Sequence, residues 1–167
     1  RELVPRAGAR AAVAARGFLV KSLWEHADEI PVTLLLLIAY VSLATVTGLP
    51  EPTADKLARF GWLVPFLAAD GEPWRLLTHA FVHGGAMHLA FNGYTLIVVG
   101  PTLERSLGSV RFALLYAAAA VGGGIAVCLL YPSGQPVVGG SGALFGMLGA
   151  AVAMQSTAGR HAFAFLA

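Results

Sequence analysis

Three stretches of the chain, 30–47, 112–131 and 141–156, contain no Asp, Glu, Lys or Arg. Each is close to the roughly 20 apolar residues that a helix needs to cross a ~30 Å hydrocarbon core. Inside such a core the backbone can satisfy its N–H and C=O groups only in helices or closed barrels. Runs of this length therefore leave few folds open. Composition points the same way. The chain is 57% hydrophobic and 12% charged, whereas an ordinary soluble domain is about one-quarter charged. The expected fold class is all-α, a polytopic membrane bundle of about four complete transmembrane helices plus the start of a fifth.

Taken in order, residues 1–29 carry Arg1, Arg6, Arg10, Arg16 and Lys21 among alanines. They suit a cytoplasmic or interfacial segment lying along the membrane. The same Arg/Ala-rich start is compatible with a mitochondrial presequence, although Glu25, Asp28 and Glu29 follow it. The first span is 30–47, with Pro31 in its first turn and Gly48 and Pro50 at its end. Residues 49–78 mix prolines, charges and the aromatics Trp62, Phe66 and Trp74. This composition suits a long, partly helical loop at the membrane interface. A second span is expected at 79–105, a turn at 107–111, a third span at 112–131 and a fourth at 141–156. After a turn at 157–160 a fifth apolar run begins near His161. Residues 30–167 then form one membrane domain. The chain starts with Arg and stops within an apolar run, so the expectation is a fragment lacking the last helices. Basic residues cluster before the first span and after the second and fourth, which by the positive-inside rule makes the N-terminus cytoplasmic.

Two features inside the spans bear on chemistry. The first is Gly139-Gly140-Ser141-Gly142 at the start of the fourth span. A hydroxyl flanked by glycines at a helix start suits a nucleophile, because free N–H groups there can face a developing oxyanion. The same residues also suit plain helix packing, since Gly142-xxx-Gly146 is a small-xxx-small pair. These residues alone leave the two readings level. The second feature is His79, His83, His88 and Asn92 at the start of the second span, where polar groups at membrane depth are costly and usually functional. Length connects the two. The 16 residues of 141–156 span roughly 24 Å as a helix, short of the ~30 Å core. Ser141 should therefore lie below the outer surface, at the depth of His88 and Asn92, which share a helix face at i, i+4. That convergence favours catalysis.

Other classes are less well supported. Cys128 is the single cysteine, so no disulfide framework or cysteine metal cluster is available. A net charge of +2 gives no basic footprint for nucleic acid. A metal site at His79, His83 and His88 lacks the glutamate of a helical His-Glu-xx-His. No metal and no cofactor are expected.

Four motifs, in order, make the chain resemble the rhomboid family of intramembrane serine proteases. They are Trp74-Arg75, the run His79, His83, His88 and Asn92, Gly100-xxx-Glu104-xxx-Gly108, and Gly139-x-Ser141-Gly142. Together they cover 72–149, about half the chain. The resemblance implies Ser141 as nucleophile, His88 and Asn92 as oxyanion donors, and Gly139 as the residue shaping the loop. It implies Phe145 at the place of an aromatic that packs on a catalytic histidine. Trp74, Arg75, His79, His83, Glu104 and Arg105 are expected to be structural, with Arg75 snorkelling beside an interfacial Trp74. The family's base is a histidine on a sixth helix, and no histidine of this chain matches it. The implied function is cleavage of transmembrane segments by a Ser-His dyad whose histidine lies beyond this chain. These 167 residues alone are expected to be inactive. The alternative is a rhomboid-like pseudoprotease that binds client transmembrane helices. Either way the partners are transmembrane proteins and the lipid bilayer. A bacterial plasma membrane is the expected location.

Overall fold

The structure is a computed structural model that describes residues 27–131 and 134–156. Expectations for 1–26, for the turn at 157–160 and for a fifth span from His161 lie outside the described residues. Among the described residues seven α-helices follow one another: α1 (Pro31–Thr47), α2 (Ala54–Phe60), α3 (Pro65–Ala69), α4 (Arg75–Thr78), α5 (Ala86–Leu107), α6 (Ser109–Leu130) and α7 (Ser141–Gln155). Short 3-10 turns occupy Ala27–Glu29 and His79–Phe81. Among the described residues the only β pairing is a single antiparallel bridge between Leu63 and Val137. The all-α expectation holds.

Two element boundaries differ from the sequence reading. The second span was expected to start at His79, but its helix starts at Ala86. His79 lies in a 3-10 turn, and the Gly84-Gly85 pair breaks the chain before the long helix begins. The expected turn at 107–111 shrinks to Gly108 alone, whose φ of 77° suits a residue without a Cβ. Among the described residues α6 is the one helix both long and apolar enough to cross a membrane. Helices α1 and α7 are apolar but shorter, at 17 and 15 residues. The outward faces of α1, α6 and α7 are nonetheless apolar. Leu35, Ile38, Val110, Leu114, Leu129 and Val152 are all exposed, far more apolar surface than water favours.

The long helices alternate in direction. Glu104, in the last turn of α5, ties the start of α1 to the start of α6. Its carboxylate accepts the backbone N–H groups of Val32 and Thr33, each at 2.8 Å, and the hydroxyls of Thr33 at 2.7 Å and Ser109 at 2.8 Å. It thereby satisfies N–H groups that a helix start leaves unpaired. Gly100, one turn earlier, permits the approach: a Cβ there would lie 2.8 Å from Thr33 Oγ1. Arg105 donates from Nε to Glu29 at 2.7 Å. These contacts account for the Gly100-xxx-Glu104-xxx-Gly108 motif as a corner of the bundle.

Helices α6 and α7 cross at glycines. A Cβ on Gly123 would lie 3.2 Å from Gly142 Cα, and Gly146 faces Ala119. On the other side of α6, Gly124 admits the backbone of α4, where a Cβ would come within 2.9 Å of the Leu76 carbonyl oxygen. The packing reading of Gly142 and Gly146 is therefore correct for those two residues. The core between the helices is built from Tyr40, Leu96, Leu103, Phe112, Tyr116, Ala120, Leu144 and Met147.

At the opposite end, α2 to α4 form a small platform held by Arg75. Its guanidinium donates to the carbonyls of Ala58 at 3.0 Å and Trp62 at 2.9 Å and pairs with Glu72. The expected snorkelling charge is instead turned into the platform, while Trp74 beside it is exposed. The reason is local. The Trp62 carbonyl, just past the end of α2, and the Ala58 carbonyl, which also accepts a long 3.4 Å bond from the Gly61 N–H, offer the guanidinium a partner set that solvent would otherwise supply.

Candidate active site

Ser141 opens α7, with Gly140 at the N-cap. Its side chain faces away from the α6 contact. Ser141, Phe145 and Leu148 form the i, i+4, i+7 stripe on the free side of α7, and Gly142 and Gly146 form the packed side. The free stripe meets a matching one on α5, made of His88, Phe91, Asn92 and Thr95. Between them lies a pocket of ≈ 240 Å³ that Leu144 also lines. The four residues carrying the proposed chemistry or its packing, Ser141, His88, Asn92 and Phe145, are thus brought to one pocket.

Gly139 sets the shape of the loop leading to Ser141. Its φ of 109° is one that side chains rarely adopt, and its N–H donates to the His79 carbonyl at 2.8 Å. A Cβ at Gly139 would overlap the His88 ring at Cε1 and Nε2 and would lie 3.6 Å from Asn92 Nδ2. Both nitrogens therefore converge on the backbone two residues before Ser141.

The donor state of His88 follows from its other nitrogen. The Gly84 N–H donates to His88 Nδ1 at 3.4 Å, so in neutral imidazole the proton sits on Nε2. That is the nitrogen facing Gly139. Asn92 is buried, and its Nδ2 donates once to the His88 carbonyl at 2.9 Å. An amide nitrogen carries two hydrogens, which leaves the second for the pocket.

His79 and His83 support this arrangement from the segment before α5. His79 is buried, and its Nδ1–H donates to the Arg75 carbonyl at 3.0 Å. Burial holds its pKa below the usual histidine range. His83 donates to the Phe81 carbonyl at 3.2 Å. Its ring meets the His88 ring edge-on, with centroids 5.4 Å apart, and the Tyr40 ring at 4.5 Å. Burial, and secondarily the nearby His88, push the His83 pKa down to about 4. The neutral ring is thus the form that fits here. The three histidines do not assemble into a metal-ligating group among the described residues. Phe145, expected against a catalytic histidine, is exposed on the free face of α7.

Sequence reasoning missed Tyr40 and Tyr116. Their hydroxyls hydrogen-bond to each other at 2.8 Å between α1 and α6, and Tyr40 lies directly beneath Gly140. The signal was present: each is a hydroxyl-bearing aromatic inside an apolar run, where a polar tip needs a buried partner.

Known proteins share this part of the chain. The sequence profile described as the Rhomboid domain matches residues 70–167. RHOMBOID-like protein 5 of Arabidopsis thaliana is 41% identical over 100 residues, which is 59% of this chain and 32% of that protein. Rhomboid protease GluP of Bacillus subtilis is 48% identical over 96 residues, 58% of this chain and 18% of that protein. Rhomboid-like protease 1 of Toxoplasma gondii is 36% identical over 110 residues, 65% of this chain and 38% of that protein. The chain therefore spans well under half the length of each of these relatives. The matched region holds α4 to α7 and every residue of the pocket, and the chain belongs to the rhomboid family.

Proposed function

We propose that the protein is an intramembrane serine endopeptidase in which Ser141 attacks a peptide carbonyl of a transmembrane substrate. One observation carries this reading. The proton-bearing nitrogens of His88 and Asn92 converge on Gly139, beside the pocket that Ser141 lines. That is the placement an oxyanion hole needs.

The step would run as follows. Ser141 Oγ bonds to the carbonyl carbon, and the carbonyl π pair moves onto oxygen. That oxyanion accepts from His88 Nε2–H, from Asn92 Nδ2–H and from the Ser141 backbone N–H. The last belongs to the first turn of α7, where N–H groups lack intrahelical partners and the helix dipole favours negative charge. The Ser141 proton must pass to a base and from there to the leaving amine as the C–N bond breaks. A water then hydrolyses the acyl-enzyme. Among the described residues that line the pocket, the only titratable side chain is His88, and its Nδ1 and Nε2 are both committed. The base is therefore assigned to a group outside the described residues, and the family resemblance points to a histidine.

In this reading α1, α5, α6 and α7 are the four membrane-crossing helices, with the N-terminal side cytoplasmic. Substrates are transmembrane segments cut near their outer end. A substrate carbonyl can reach Ser141 only from an unwound helix, so segments rich in Gly or Pro should be cut fastest. A bacterial plasma membrane is the proposed location.

A second reading starts from the lack of a free base among the described residues that line the pocket: a pseudoprotease that holds client helices in the α5–α7 pocket. A fluorophosphonate probe applied to the full-length protein in detergent separates the two. Labelling that disappears in Ser141→Ala supports the protease. Retained binding of transmembrane peptides without any labelling supports the pseudoprotease.

A further inference from the structure

Tyr40 touches both halves of the pocket's machinery without lining the pocket. Its ring is fully buried and stands edge-on to His83, which in turn stands edge-on to His88. Its hydroxyl lies where a side chain on Gly140 would be. A Cβ built at Gly140 would overlap Tyr40 Oη, would come within 2.8 Å of Cζ and would lie 3.1 Å from the Ala80 carbonyl oxygen. Gly140 has φ −70° and ψ −2°, an ordinary helical conformation. Glycine is needed there for space, not for backbone freedom. The residue immediately before Ser141 is therefore seated against a phenol. That phenol is held in turn by the Tyr116 hydroxyl at 2.8 Å, from the far side of the bundle. Both hydroxyls are buried among apolar side chains, where either one without the other would be left unpaired at a cost.

We propose that the Tyr40–Tyr116 hydroxyl pair is a positioning device that sets the height of the Gly139-Gly140-Ser141 loop relative to the oxyanion donor His88. The proposal rests on the reading of Ser141 as nucleophile for its catalytic consequence, but not for its structural one. Tyr40 defines where Gly140 can sit, and through His83 it also packs the ring that must point at the oxyanion. Tyr116 holds Tyr40 by its hydroxyl, while its ring packs on Phe81 with centroids 5.7 Å apart. Removal of the hydroxyl alone, with the ring kept, should act through Tyr40.

The test compares Tyr40→Phe, Tyr116→Phe and the double variant with the parental full-length protein in detergent. Two readouts are needed: the rate of fluorophosphonate labelling, and hydrogen exchange of backbone amides at 139–143 and at 104–109. Both substitutions keep the ring and remove only the hydroxyl. Labelling is expected to slow roughly ten- to a hundredfold, the scale at which small misplacements act on catalysis. The double variant should be no slower than either single one. Exchange at 139–143 should accelerate while exchange at 104–109, the Glu104 corner, stays at the parental rate. A variant that labels at the parental rate, or whose exchange at 139–143 is unchanged, overturns the proposal. So does exchange that rises equally at both ends, which is general loosening. If the parental protein does not label at all, the nucleophile reading fails. Local acceleration at 139–143 would still uphold the positioning role, and its absence would overturn it.

Discussion

At the residue scale, the candidate site depends on side-chain types at local spacings, and most of those could be read directly. His88 and Asn92 are i, i+4 on one helix face, and Ser141 stands among glycines at a helix start. Neither fact needs a partner element to be recognised. The reason for Gly139 needed the structure, because it involves both a φ of 109° and the His88 ring pressed against it. Gly139→Ala should therefore lose fluorophosphonate labelling and cost about 1–3 kcal/mol, the usual range for a residue forced into a sparsely populated backbone region. Labelling at the parental rate would show that the loop tolerates a Cβ. Tyr40 was not legible for the opposite reason: what it does depends on Gly140, a hundred positions away in sequence. His83 gives a pH prediction. Its pKa is lowered from 6.5 to about 4 in the fold, so between those values the unfolded chain binds the proton more readily. The stability contribution is complete above pH 6.5, is lost as pH falls through that window, and loses nothing further below about 4. Unfolding curves in detergent should show His83→Phe with a shallower acid limb than the parent.

At the element scale, the long helices α1, α6 and α7 were legible as apolar runs, while helix ends were displaced where tertiary contacts decide. α5 begins at Ala86 because Gly84-Gly85 interrupts the helix that the histidine spacing suggested. α6 begins at Ser109 because Gly108 alone turns the corner and Ser109 reaches Glu104. A charged residue at the end of a span reads as a boundary marker. In the fold Glu104 is almost fully buried, and it caps α1 from a different helix. Removing it strands donors that have no other partner among the described residues, in an apolar setting. Glu104→Ala should destabilise the protein by about 1–3 kcal/mol for each buried group left unpaired. Glu104→Gln keeps the shape but turns an amide NH₂ towards N–H donors, so it should recover only part of the loss. Thermal unfolding in detergent measures both, and a Gln variant as stable as the parent would count against the capping role.

At the scale of the whole molecule, the two ends of the bundle are fastened by different means. One end is the Glu104 corner that joins α1, α5 and α6. The other is the platform that Arg75 closes, which reaches the loop before Ser141 by two routes. The Leu63–Val137 bridge has N···O distances of 2.8 Å in both directions, and the Gly139 N–H bonds to the His79 carbonyl. The platform also rests on α6, where Leu76 packs on Gly124, about 22 Å along the helix from Ser109 at 1.5 Å per residue. The two fastenings share no hydrogen-bond partner. Arg75→Ala removes the guanidinium from the Ala58 and Trp62 carbonyls, Ala58 keeping a 3.4 Å bond from the Gly61 N–H, and should cost about 1–3 kcal/mol. Sites that far apart without common partners combine additively to within about 0.5 kcal/mol. The Arg75→Ala, Glu104→Ala double variant should therefore lose the sum of the single losses. Function should separate the two ends where stability does not. Arg75→Ala should slow Ser141 labelling even though Arg75 does not line the pocket, because the platform registers the loop. In the folded fraction Glu104→Ala should leave labelling unchanged. A double-variant cycle measured in detergent, with labelling followed in parallel, checks both halves. Strong coupling between the two sites would mean the bundle responds as one rigid body, and the platform would then have no separate hold on Ser141.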